Sequence, residues 1–174
     1  TNSPIGMCFD SNDHLMVANV QSPPRKITRF TLTNGLYSSD SVIVNFNGND
    51  HRPEFITMDG ADNIYFARPD NSDGNLYRLT PNNIIENVYV ANFGDLIDPR
   101  GLAFNDEGEL FVANNAYPNQ SSYISKFSFN AANQLVAQDL SFISGLSSKL
   151  QDLFFAPNGD LYIAGGGGNR SYTI

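Results

Sequence analysis

The residues able to do chemistry in this 174-residue chain are few and fall in recurring places. His51, Arg52 and Glu54 stand together, an imidazole that titrates near neutrality beside a carboxylate. Arg100, between Pro99 and Gly101, offers a planar fork suited to a carboxylate, a phosphate or a pair of sugar hydroxyls. Gln151 and Asp152 add an amide and a second acid, and Arg68 lies in a loop of its own. Glu54, Arg100, Gln151 and Asp152, ringed by His51, Arg52 and Arg68, are therefore the expected ligand-binding set. No hydroxyl or thiol is spaced to pair with a base, so no catalytic residue is assigned. Cys8 is alone, which excludes an internal disulfide and a cysteine-built zinc site. Asp70 to Asn75 imitates a calcium loop only in part, because Gly74 breaks the alternation of ligands and Pro81 stands where a bidentate Glu belongs. The glycines from Gly165 to Gly168 precede no helix and do not make a phosphate cradle. Asn119 and Asn169 each head an Asn-x-Ser glycosylation pattern.

A repeat must position these side chains. Pro4-Ile-Gly-Met-Cys-Phe-Asp10 returns as Pro53-Glu-Phe-Ile-Thr-Met-Asp59, as Pro99-Arg-Gly-Leu-Ala-Phe-Asn105 and, more weakly, as Leu150-Gln-Asp-Leu-Phe-Phe-Ala156. The period is roughly 50 residues, that of a propeller blade. Each copy continues with a polar turn and a second strand: Leu15 to Ala18, Ile64 to Ala67, Leu110 to Ala113 and Leu161 to Ala164. Third strands follow over 27–30, 76–79 and 124–127, and looser fourth strands over 42–46, 88–93 and 140–143. Ala18, Ala67, Ala113 and Ala164 share one face of their strands, with large apolar residues on the other, so both faces must be covered by neighbouring sheets. The expected fold is all-β: a β-propeller of four-stranded antiparallel blades, one domain over 1–174, with blades starting near 4, 53, 99 and 150. The last blade is incomplete, so the chain is expected to be part of a longer propeller, with self-association through unpaired blade edges.

Charge narrows the partners. The net charge of −8 argues against a nucleic-acid binder, and no apolar stretch is long enough for a membrane helix. Arg25, Lys26, Arg68, Arg170, Arg52, Arg100 and Lys149 all map to the face that carries the inter-blade crossovers. The opposite face holds tight, acidic hairpin turns. Arg29, Arg78 and Lys126 share a third-strand position whose expected role is structural.

The pattern Pro-x-Gly, a turn, and then Val-Ala-Asn resembles the NHL-repeat propellers. It is also similar to the senescence-marker-protein/gluconolactonase and strictosidine-synthase-like group, and both resemblances imply a six-bladed parent. This superfold hosts enzymes and binders alike. In lactonase-like propellers a divalent metal is held near the channel by Glu, Asn and Asp, the Asn lying in a Pro-Asn-Gly segment. Here the matching tripeptides carry Ile5 and Arg100, and Arg100 repels a cation, although Glu54 and Asp152 could supply two ligands. The expected function is a non-catalytic scaffold, without cofactor, that recognises a protein, glycan or small polar ligand at the channel mouth. The alternative is a metal-dependent lactonase or esterase-like hydrolase using Ca2+ or another divalent metal. The compartment stays open, an extracellular or periplasmic one being favoured.

Overall fold

The computed structural model describes residues 3–20, 24–46, 52–68, 74–90, 92, 95–116, 121–146, 149–166 and 170–172, with backbone alone at 39, 40 and 170–172. Four antiparallel sheets follow one another along the chain. Blade 1 comprises β1 (Pro4–Phe9), β2 (Leu15–Asn19), β3 (Arg25–Thr33) and β4 (Leu36–Phe46). Blade 2 holds β5 (Ile56–Met58), β6 (Ile64–Ala67), β7 (Leu76–Leu79) and β8 (Ile85–Tyr89). In blade 3 the strands are β9 (Pro99–Phe104), β10 (Leu110–Asn114), β11 (Ser122–Phe129) and β12 (Leu135–Leu146). Blade 4 has β13 (Lys149–Phe155), β14 (Leu161–Gly166) and β15 (Arg170–Tyr172). The first strands touch in order, β1 to β5 to β9 to β13, so the sheets fan out from a shared inner line.

The acidic turns are explained by their own hydrogen bonds. At Asp10, Asp59, Asn105 and Ala156 the backbone N–H closes on the carbonyl four residues ahead at 2.9–3.1 Å. Asp13, Asp62, Gly108 and Gly159 then take positive φ, a conformation that Asp and Gly tolerate. Asp10 Oδ1 accepts from the N–H groups of Asn12 and His14, and Asp59 Oδ1 from those of Ala61 and Asn63. These acids build the turns.

Each blade meets its neighbours with two different faces. Met16, Ala18 and Ile27 of blade 1 pack on Ile56, Ile64, Phe66, Tyr77 and Leu79 of blade 2. Tyr65, Ala67 and Leu76 of blade 2 meet Leu102, Leu110, Val112 and Phe127 of blade 3. Ala103, Phe111, Ala113 and Ile124 then meet Leu150, Leu153, Leu161 and Ile163 of blade 4. Alanine therefore always faces forward along the chain and the bulky pair always faces back. The asparagine closing each Val-Ala-Asn is a tie within its blade: Asn19 donates to the Val17 carbonyl at 3.2 Å and Asn114 to the Val112 carbonyl at 3.2 Å and to Ser125 Oγ at 2.9 Å. At two of the three shared basic positions, Arg78 and Lys126, the role is structural. Arg78 donates to Glu86 and to Tyr65 Oη and reaches across to the carbonyl of Asn133 in blade 3, while Lys126 pairs with Glu109 at 3.0 Å.

Some strand limits differ from the sequence reading. The outer strands β4 and β12 are longer than expected, because exposed strands lack the apolar alternation that marks inner ones. Arg25, Lys26, Arg100 and Lys149 belong to strands rather than loops. Pro53 does not open a strand; β5 begins at Ile56. The cause is steric. At Gly6 an added Cβ would lie 2.6 Å from the Glu54 carbonyl oxygen, and at Gly101 it would land on the Asp152 backbone. Blade 2 has Phe55 at this place, and its side chain packs instead with the core between blades 2 and 3.

Candidate functional site

The crossover entering blade 3 is pinned before it delivers Arg100. Leu96 is fully buried, and Asp95 accepts from Tyr89 Oη at 2.7 Å through its carboxylate and from Tyr123 Oη at 2.9 Å through its carbonyl. Burial works to raise the Asp95 carboxyl, but the Tyr89 and Asn92 bonds outweigh it and hold the group below its ordinary value. Burial and the same bond push Tyr89 up to about 12. On the other side, the Gly74 N–H donates to the Leu96 carbonyl at 2.9 Å. Gly74 has no room for a Cβ against the Pro99 ring.

Asp98 follows with φ +43, a left-handed conformation in a residue that also precedes a proline. Such a backbone is strained and persists only when its surroundings enforce it. Here Arg100 Nε and Nη2 both donate to Asp98 Oδ2, at 3.0 and 2.9 Å, and Asn115 Nδ2 donates to the same oxygen at 2.9 Å. Arg100 Nη1 donates to Gln151 Oε1 at 3.1 Å, tying blade 3 to blade 4. The guanidinium has five N–H donors, and these bonds leave one on each terminal nitrogen for an incoming oxygen. Asn115 is 8% exposed, and its Oδ1 has no partner.

Of the expected residues, the structure joins Arg100 and Gln151 directly and sets the Asp152 backbone against Gly101. Burial raises the Asp152 carboxyl above its ordinary value, although the Leu153 N–H bond at 2.9 Å opposes this. The side chain also reaches water. Glu54 and Arg52 form a separate ion pair at the junction of blades 1 and 2, where the Glu54 side chain is buried. His51 lies outside the described residues, as do 69–73 of the calcium-like loop, Gly167, Gly168, Asn119 and Asn169. Sequence reasoning missed Asp98 and Asn115. The signal available for Asp98 was its position two before Arg100 and directly before a proline; for Asn115 there was none.

The residues present do not fit a divalent cation here. A guanidinium stands at the start of β9, and Asp98 and Glu54 are spent on arginines, which leaves Asp152 alone of the nearby acids. Among the described residues no three His, Cys, Asp or Glu side chains converge. Two arginine–carboxylate pairs, one before β5 and one at the start of β9, instead suit a ligand that brings its own negative or carbonyl oxygen.

No protein-family model matches the chain, and no curated protein matches it. Solved structures do. A gluconolactonase from Xanthomonas campestris is 20% identical with a TM-score of 0.71, over 99% of this chain and 59% of that one. A luciferin-regenerating enzyme is 14% identical with a TM-score of 0.68, over 98% and 58%. Virginiamycin B lyase from Staphylococcus aureus is 12% identical with a TM-score of 0.64, over 99% and 56%. The chain spans less than two thirds of the length of each. Its four stacked sheets have the β-propeller fold, in the form shared by gluconolactonase and virginiamycin B lyase.

Proposed function

We propose that the channel mouth around Arg100 seats a small carboxyl compound, an acid, ester or lactone, and that the propeller acts on it by hydrolysis or elimination. The observation that carries this is the anchored guanidinium, locked by Asp98 and Gln151 with a donor left on each terminal nitrogen. A preorganised donor pair stabilises the negative oxygen that develops as an ester carbonyl is attacked. Asp152, its carboxyl raised and without an arginine partner among the described residues, supplies the group to take or give a proton. The fold neighbours support catalysis over passive binding, since those named above are all enzymes. Recognition without catalysis is the second reading, favoured by the pairing of Glu54 and Asp98 with arginines, which leaves one carboxylate for chemistry.

Calorimetry with aliphatic carboxylates, together with hydrolysis assays on simple lactones, tests both readings. The expected result is carboxylate binding that weakens ten-fold or more in Arg100→Gln, and lactone turnover that Asp152→Asn abolishes while binding remains. Unchanged binding in Arg100→Gln would remove the site altogether. Binding without any turnover by the wild type would establish the second reading.

A further inference from the structure

The junctions between blades 1 and 2 and between blades 2 and 3 are built alike, but they are not filled alike. Between blades 2 and 3, at the hairpin-turn end, three rings close the space: Tyr65 against Phe104 at 5.0 Å, Tyr65 against Phe129 at 5.6 Å, and Phe104 against Phe129 at 6.3 Å. Arg78 lies over the Tyr65 ring at 6.0 Å and donates to its hydroxyl at 3.3 Å. Strand pairing shows what stands in these places one junction earlier. Tyr65 pairs with Arg78 across β6 and β7, as Met16 pairs with Arg29 across β2 and β3. Phe104 pairs with Leu110, as Met58 pairs with Ile64. Where β11 runs on to Phe129, blade 2 has already turned at Thr80.

Two methionines and a turn thus replace three rings, and a cleft of about 360 Å³ remains between blades 1 and 2. Met16, Met58, Ile64 and Leu79 line its depth, with Arg29, Asp10 and Asp62 at the rim. That volume is in the range of small-molecule sites. Methionine walls adapt to a flat guest and favour contact with aromatic rings. The basic group at the rim is in the position from which Arg78 serves an aromatic hydroxyl. We infer that this cleft binds a small phenolic molecule, its ring taking the space that Tyr65, Phe104 and Phe129 fill in the next junction and its hydroxyl facing Arg29. The cleft is separate from the channel mouth and independent of the function proposed there.

The three methionines make the test direct, because Met7 lies on the opposite face of blade 1 and serves as an internal control. With 13C-methyl methionine, p-cresol is the probe and toluene its comparison. The expected result is saturable shifts of the Met16 and Met58 methyl resonances with Met7 unmoved, and at least ten-fold weaker binding of toluene. Met58→Phe, which restores a ring, should abolish the response; Met16→Tyr serves where that variant does not fold. No saturable shift, equal movement of Met7, toluene binding as well as p-cresol, or full binding by a folded ring-restoring variant would each overturn the inference.

Discussion

Arg100 was legible because an arginine between proline and glycine is conspicuous, whereas its holder Asp98 was hidden among many turn-forming acids. What separates it from them is the pair of hydrogen bonds from Arg100, a contact that residue types do not record. Two substitutions at Asp98 separate strain from function. Asp98→Ala loses the carboxylate and keeps the positive φ, so it should destabilise by about 1–3 kcal/mol in denaturant titrations. Asp98→Gly also loses the carboxylate but accepts the angle freely, so its stability should stay within about 1 kcal/mol of wild type. Both should weaken carboxylate binding alike, by roughly ten-fold, a loss of about 1.4 kcal/mol. Cys8 makes a second residue-scale case. Burial, and secondarily Asp10, push its thiol up to about 12. Iodoacetamide at neutral pH should therefore leave the native chain unmodified and label it only after unfolding.

At the scale of the strand, the hairpins and their two faces could be read directly, because buried inner strands alternate and their turns have a fixed chemistry. Ala113 is fully enclosed between blades 3 and 4, so Ala113→Leu should overpack that junction and cost about 1–3 kcal/mol by denaturant midpoint. The late start of β5 was not legible, since it depends on the distance between two strands from different repeats. Beside that same packed junction, Glu109 links β10 and β11. Burial works to raise its carboxyl, but bonds from Lys126, Asn105 and Ser128 outweigh this and lower it. A lowered folded value means the stabilisation is complete above the ordinary glutamate value, about 4.3, and is lost as pH falls through the folded value. Glu109→Gln should flatten this part of the acid limb, measured as midpoint against pH between about 5 and 2.

For the molecule as a whole, the sequence carried the repeat and the order of its sheets, because each blade copies the same hairpin grammar. It did not carry the contents of each junction, which depend on which side chains two neighbouring copies happen to bring together. The outward faces of the first and last described blades show what such a junction needs. Met7 and Phe9 are 66% and 54% exposed on the back of blade 1, and Phe154 and Tyr162 are 61% and 46% exposed on the front of blade 4. At the described junctions faces of this kind are covered by the neighbouring sheet. The direction of stacking follows from the alanine-forward, bulk-backward packing of every sheet. A front does not match another front, nor a back another back. The stacking of these sheets is heterologous, front to back at each described junction. Stacking of this kind runs head to tail, and it leaves no open face only where the rotation per blade closes a circle.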